Sequence, residues 1–199
     1  IYVCDTETTG LDAFRNDVIE LSLYRLGDDM QKTWCLKPSN PANIETAALR
    51  INGHKMEDIT HLTKDGRERY RDPAKVIVEV ENWISDDGVP AEQRILVGQN
   101  VSFDKGMLEQ LWIKCNSKDT FPFGRKTLDT LSIQFFMDWC RGELAEGYHL
   151  GSLTKKYGIT NSKAHTAEAD TKACKEVFLK QVDAFKKALH AQSSLLSRQ

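Results

Sequence analysis

Two acidic residues stand two positions apart near the start of the chain, in the segment IYVCDTETTG. Because side chains alternate faces along a strand, Val3, Asp5 and Glu7 are predicted to point the same way. Two carboxylates that close together repel each other, so they either lie on a solvated rim or share a positive charge. The pair is therefore the first candidate for a metal site.

Two further acids occupy positions that a site would use. Asp104 follows the apolar run 94–99, which is predicted to be a buried strand, and Asp170 lies in the first turns of the last predicted helix. If the two strands are neighbours, Asp5, Glu7 and Asp104 come close together, and the last helix completes a cluster of four carboxylates. Oxygen ligands favour Mg²⁺ or Mn²⁺ over zinc, and a pair of such ions about 3.5–4 Å apart is a common arrangement for phosphodiester cleavage by water.

His165 offers a group that titrates near neutral pH and that could take a proton from an attacking water. In one continuous helix, a separation of five residues would turn His165 about 140° away from Asp170. We therefore expect His165 to lie on the loop before the helix. The other histidines, His54 among them, are expected to be structural or exposed.

Composition sets the class of protein. Hydrophobic residues make up 40% of the 199 positions and charged residues 28%, with no signal-peptide pattern and no apolar run of the length of about 20 residues that a membrane span requires. The five cysteines lack metal-ligand spacing and predict reduced thiols in a cytoplasmic protein. A net charge of −2 argues against strongly electrostatic nucleic-acid binding, although bound cations would offset it.

Hydrophobic periodicity predicts three strands followed by helices that alternate with shorter strands, which indicates an α/β fold with a mixed sheet. One domain is expected over 1–190, with a polar tail at 191–199. The predicted strands are 1–6, 17–26, 31–38, 94–99 and 126–130, and the predicted helices are 42–50, 54–59, 73–85, 103–115, 130–140, 149–158 and 167–189.

Three segments in this order, DTETTG (5–10), NVSFDK (100–105) and HTAEAD (165–170), closely resemble the motifs of the DnaQ-like 3′–5′ exonucleases of the DEDDh subclass. The resemblance extends through most of residues 1–189. It implies an RNase H-like fold, a five-stranded mixed sheet with strand 2 antiparallel and flanked by helices.

The resemblance also implies roles for the site residues. Asp5, Glu7 and Asp170 would hold the metal that activates water, with Asp5 bridging to a second metal held by Asp104. His165 would be the general base.

The turn after the first acids resembles the place where such enzymes hold the terminal nucleotide, which assigns nucleotide binding to Thr8, Gly10 and Leu11. Phe103 could stack on a base, but its place in a helical apolar stripe fits core packing equally well. The basic segment 64–72 and the pair Lys155–Lys156 are candidates for phosphate contacts, with solvated charge as the alternative.

The implied activity is metal-dependent hydrolysis at the 3′ end of single-stranded or frayed DNA, with release of nucleoside monophosphates. An exoribonuclease with the same chemistry and a catalytically idle nucleic-acid-binding module are the alternatives. Proofreading would require a polymerase partner, and the segment 192–196 (QSSLL) loosely resembles peptides that dock on sliding clamps.

Overall fold

A computed structural model describes residues 1–60 and 69–196. Its five strands form one mixed sheet in the order β3-β2-β1-β4-β5. β2 is antiparallel to both of its neighbours, whereas β1, β4 and β5 pair in parallel. The predicted five-stranded sheet with strand 2 antiparallel is therefore confirmed. The strands are β1 (Tyr2–Thr8), β2 (Val18–Arg25), β3 (Met30–Cys35), β4 (Leu96–Gly98) and β5 (Thr127–Asp129).

Seven α-helices lie between and after the strands of the described chain. They are α1 (Thr46–Asn52), α2 (Met56–Thr60), α3 (Pro73–Ser85), α4 (Val101–Lys114), α5 (Thr130–Arg141), α6 (Leu150–Tyr157) and α7 (Ala167–Leu196). Local signals fix several of their ends: Asp72 caps α3 ahead of Pro73, and Gly158 ends α6 in a left-handed conformation.

The two faces of the sheet bury different helices. Tyr2 and Cys4 of β1 belong to a core cluster shared with α3 and α4, whereas Val3 packs with Cys174 and Phe178 of α7. The alternation along β1 thus directs its odd-numbered side chains toward α7. This geometry decides which acids can meet.

Several predicted boundaries were wrong by a few residues. β1 continues to Thr8, so both of its acids lie within the strand, and β4 is only three residues long because backbone pairing with β5 stops at Gly98. The predicted helix 42–50 divides into a short 3₁₀ turn and α1. The last helix extends to Leu196 rather than 189, so the first residues of the predicted tail are helical.

No described helix is both long and apolar enough to cross a membrane. Of the basic segment 64–72, residues 64–68 lie outside the described residues. In the described part, Arg71 forms an ion pair with Glu79 at 2.6 Å, and its backbone pairs with Leu36 beside the sheet. Arg71 therefore has a structural role at this position.

Candidate active site

Three carboxylates converge where β1 faces the first turns of α7. Asp5, Glu7 and Asp170 can each offer one oxygen so that all three oxygens lie within 4.8 Å of one another. β1 supplies two of them because residues two apart share a face, and α7 supplies the third by packing against that face. The predicted approach of the last helix to the first strand is confirmed.

Burial and mutual repulsion both disfavour ionisation of the two strand acids. Burial first, and then the charge of Asp170, raises the pKa of Glu7 to about 8. The same causes hold the pKa of Asp5 well above its usual value, with the charge of Asp104 as the largest electrostatic contribution after burial. The site therefore binds either protons or a cation at neutral pH.

Asp104 lies close to this group but is not one of the three converging oxygens. Its buried side chain, 4% exposed, accepts a hydrogen bond from Thr6 Oγ1 at 2.8 Å. Burial raises the pKa of Asp104 to about 7 despite that hydrogen bond. The predicted cluster of four is thus three converging acids with Asp104 next to them on α4, near enough to affect Asp5.

His165 lies on the loop before α7, as predicted, and its side chain is exposed. Its backbone is in the left-handed region at φ 69°, and its N–H donates to Asp170 Oδ2 at 2.9 Å. The other carboxylate oxygen of Asp170 accepts from Asn161 Nδ2 at 2.5 Å. Asp170 therefore fixes the loop that carries His165, and sequence reasoning missed Asn161 because nothing in its spacing links it to Asp170.

A further acid, Glu20 on β2, was also missed. It pairs with Glu7 across β1 and β2, is 4% exposed, and contacts His54 Nε2 at 3.3 Å. His54 Nδ1 in turn bonds the Tyr70 hydroxyl at 2.6 Å. Burial is the largest single effect and would raise the pKa of Glu20, but the hydrogen bond from His54 acts together with further contributions that lower it, so the pKa is lowered overall. The sequence did carry a signal for Glu20, because an acid stands there inside the otherwise apolar strand segment DVIELSL.

The loop between β1 and β2 carries the residues assigned to the terminal nucleotide. Leu11 is 81% exposed, whereas Thr8 is buried and donates from Oγ1 to the Gly10 carbonyl at 2.7 Å. A Cβ at Gly10 would lie 2.5 Å from the side chain of Asn16, so glycine is required for this loop to close. The structure leaves Leu11 free to contact a ligand.

The other predicted contact residues have different surroundings. Phe103 is partly buried and packs against the core on the α3 and α4 face, which supports the packing alternative. Lys156 pairs at 3.0 Å with Asp138, whose side chain is fully buried. Lys155 is exposed. Of the two predicted phosphate contacts, Lys156 is thus used in an ion pair with a buried acid, whereas Lys155 is exposed to solvent.

The donor set fits a hard divalent cation. All three converging ligands are carboxylates, and the neighbouring charges that raise the pKa values of Asp5 and Glu7 are carboxylates as well. Among the residues that the structure describes, only carboxylates contribute to the electrostatic part of these shifts, so a cation would relieve the repulsion. Mg²⁺ and Mn²⁺ both satisfy this chemistry.

Known proteins resemble this chain in sequence. A chain called DNA polymerase III PolC-type from Staphylococcus aureus (strain bovine RF122 / ET3-1) is 28% identical over 187 residues, which is 92% of this chain and 11% of that one. The protein of the same name from Staphylococcus haemolyticus shows the same identity and coverage. This chain thus spans about a ninth of the length of these relatives.

Solved structures give the same fold. The ExoI–ssDNA complex of E. coli in its zinc-bound form has a TM-score of 0.73 at 18% identity, over 94% of this chain and 40% of that chain. Cell-death related nuclease 4 has a TM-score of 0.71 at 14% identity, over 92% of this chain and 63% of that one.

The family model RNase_T, described as exonuclease, matches residues 2–178. That span includes β1, α4 and the first turns of α7, and so contains every acid described above. The predicted resemblance to the DnaQ-like 3′–5′ exonucleases of the RNase H-like superfamily is confirmed, and the chain belongs to the RNase_T exonuclease family.

Proposed function

We propose that this chain is a metal-dependent 3′–5′ exonuclease of the DEDDh type that hydrolyses the terminal phosphodiester of single-stranded or frayed DNA and releases nucleoside 5′-monophosphates. The observation that carries the proposal is the convergence of Asp5, Glu7 and Asp170 within 4.8 Å, together with the burial that raises the pKa values of Asp5 and Glu7. Such a site serves poorly as a structural ion pair because it contains one sign of charge.

Two Mg²⁺ or Mn²⁺ ions are the proposed cofactors. Asp5, Glu7 and Asp170 would hold one, and Asp5 and Asp104 the other. When bound, such ions supply a water of lowered pKa and positive charge beside the phosphate oxygens. The fixed positions of the acids support this assignment, since Thr6 holds Asp104 at 2.8 Å and two donors from the loop before α7 hold Asp170.

His165 is the proposed general base, which accepts the proton of the attacking water. Its exposure leaves the imidazole accessible to substrate, while the hydrogen bond from its backbone N–H to Asp170 keeps the residue next to the acids. Proton transfer requires a group within hydrogen-bond reach of the water, and a loop residue held through its backbone can rotate an exposed side chain into that position.

Leu11 is the proposed wedge against the terminal base, with the backbone of Thr8 and Gly10 next to the sugar. Their burial against Asn16 and Asn52 makes this turn a fixed support, because Asn52 Nδ2 donates to the Thr8 carbonyl at 3.1 Å. Phe103 is proposed to contribute through core packing, with any base contact made by its partly exposed edge.

DNA is the proposed substrate because the relatives named above are DNA polymerases and the neighbouring structure contains single-stranded DNA. The same relatives carry this unit within a polymerase chain, which supports a polymerase partner and a proofreading or repair role. Docking of residues 191–199 on a sliding clamp and a cytoplasmic location remain predictions from the sequence. A pull-down with a sliding clamp, with and without residues 191–199, tests the former.

The test is hydrolysis of a 5′-labelled single strand with Mg²⁺ and with EDTA, by the wild type and by Asp5→Ala. We expect stepwise shortening from the 3′ end and release of monophosphates with Mg²⁺ only, and none from the variant. Equal shortening in EDTA, or wild-type activity in Asp5→Ala, would refute the site. Matched DNA and RNA strands in the same assay decide between a deoxyribonuclease and an exoribonuclease, and binding without hydrolysis would identify an idle binding module.

A further inference from the structure

The two most exposed large apolar side chains among the described residues lie on the same short loop, between β1 and β2. Leu11 is 81% exposed and Phe14 is 79% exposed, followed by Ile51 at 66% and Trp139 at 62%. A single exposed apolar residue is ordinary on a protein surface. Two of them, three positions apart on the loop that directly follows the strand carrying Asp5 and Glu7, indicate a contact surface for a ligand.

The backbone holds Phe14 outward in a compact turn. Asp12 accepts the Phe14 N–H through its side chain at 3.0 Å, and its carbonyl accepts the N–H groups of Arg15 and Asn16. Asn16 Oδ1 accepts the Asp12 N–H at 2.8 Å, and Ala13 packs inward against the core. The ring is therefore presented to solvent by a turn that is bonded at both ends.

The same loop is anchored at the end of the strand that carries the acids. Thr9 and Asp17 close its base, because Thr9 N donates to the Asp17 carbonyl and Asp17 N donates to Thr9 Oγ1, each at 2.9 Å. Lys114 of α4 stabilises the loop through an ion pair with Asp17 at 2.9 Å. Since Glu7 is two residues before Thr9, this fixed support for Phe14 leaves the same end of β1 that carries Glu7.

We propose that Phe14 stacks on a base upstream of the 3′-terminal nucleotide, which gives this chain a second nucleotide subsite in addition to the one assigned to Leu11. The inference rests on the proposed function for the identity of the ligand. A rigid, exposed ring suits stacking because every base has a π-face, so the subsite tolerates any sequence. Arg15, exposed and next in the chain, supplies a positive charge for the adjoining phosphate.

The binding experiment measures the fluorescence anisotropy of a labelled oligothymidylate of about eight nucleotides in EDTA, where no cleavage is expected. Stacking of one base corresponds to an affinity change of about tenfold. We expect Phe14→Ala to weaken binding by about that factor and Phe14→Trp to retain it. Trp139→Ala is the matched control, an exposed aromatic residue on α5, the helix that follows the edge strand β5, and we expect it to leave binding unchanged.

An unchanged Kd in Phe14→Ala, an equal loss in Trp139→Ala, or no binding by the wild type would overturn the inference. Thermal denaturation of Phe14→Ala should match the wild type, since the side chain is almost fully exposed. An oligouridylate arm shows whether the subsite also accepts RNA.

A second measurement identifies the base that is contacted. Oligothymidylates with a single abasic position at the terminal, second, third or fourth nucleotide from the 3′ end are compared in the same binding assay. At one upstream position, the abasic site should weaken wild-type binding about tenfold and have no further effect in Phe14→Ala. If the abasic site and Phe14→Ala weaken binding independently at every position, so that their effects on the free energy of binding add, stacking by Phe14 is contradicted. If the wild type binds these strands selectively but hydrolyses none with Mg²⁺, the proposed function fails while this inference stands.

Discussion

The first prediction concerns the loss of folding stability that Glu7 causes when the site holds no cation. Glu7→Gln replaces an acid by a neutral side chain of the same shape, and it resembles the protonated form that burial favours. In the metal-free protein at pH 8 we expect the variant to be more stable than the wild type. The same change should abolish or strongly reduce nuclease activity, so stability and activity move in opposite directions.

The magnitude follows from the shift in pKa. The usual glutamate value is 4.5, and in the folded protein the pKa of Glu7 rises to about 8. Below pH 4.5 the side chain is protonated in both the folded and the unfolded protein, and the wild type loses nothing. As the pH rises from 4.5 to 8, the unfolded chain releases a proton that the folded chain retains, so stability falls by up to about 1.4 kcal/mol per pH unit.

Over that window the ceiling is about 5 kcal/mol. Glu7 is partly exposed, and water screens part of the repulsion, so we expect about half of the ceiling, or roughly 2–3 kcal/mol, at pH 8. At pH 4 the difference between Glu7→Gln and the wild type should be close to zero.

The assay is urea denaturation in EDTA at pH 4, 6 and 8, with Glu146→Gln, an exposed glutamate outside the site, as the control. Addition of Mg²⁺ should stabilise the wild type and shrink the gap at pH 8, because only the wild type keeps the full set of ligands. A gain of equal size at pH 4 and pH 8, or a loss of stability at pH 8, would show that repulsion and burial at Glu7 do not act as described.

Three further predictions concern the residues around the acids. His165→Ala should lower kcat by about 10²- to 10⁴-fold while Mn²⁺ affinity, measured by calorimetry, stays within error; a matching loss of affinity would make His165 a ligand. Asn161→Ala frees one oxygen of Asp170 and should weaken Mn²⁺ binding by about 10- to 100-fold, and an unchanged titration would rule out this role. Lys156→Ala leaves the buried Asp138 without its ion pair and should cost about 3 kcal/mol in urea denaturation, against less than about 0.5 kcal/mol for the exposed Lys155→Ala; similar small changes in both would refute the structural role of Lys156.

The sequence was sufficient for the architecture because the strong signals agree with one another. The alternation of apolar and polar residues in β1 and β2 predicted strands, and the helical spacing of apolar residues in α3 and α7 predicted helices. Their order along the chain predicted a mixed sheet. Boundaries were less predictable where backbone pairing decides them: β4 ends at Gly98 because β5 ends opposite it, and no local residue signals that limit. The continuation of α7 through its last polar residues also escaped prediction, since a polar helix has no apolar period to read.

The acids of the site were predictable, but their supports were not. Asp5, Glu7 and Asp170 stand in recognisable segments, whereas Asn161 contacts Asp170 only because the loop before α7 folds back on it. Glu20 illustrates the same limit, since its partner His54 is 34 positions away in the numbering of the chain and reaches it through α1. Contacts of this kind depend on tertiary packing, which single-residue patterns do not encode.

Another acid shows why the sign of the neighbouring charges, and not burial alone, distinguishes a cation site from a structural ion pair. Asp87 is also partly buried, but the hydrogen bonds from Arg94 and Tyr2 outweigh burial and lower its pKa to about 2. For Glu7 the neighbours are Asp170, Glu20 and Asp104, and the pKa moves to about 8. In the described part of the chain, a guanidinium lies beside Asp87, whereas the charges that shift the pKa of Glu7 are all carboxylates, so at neutral pH a proton or a bound cation has to balance Glu7.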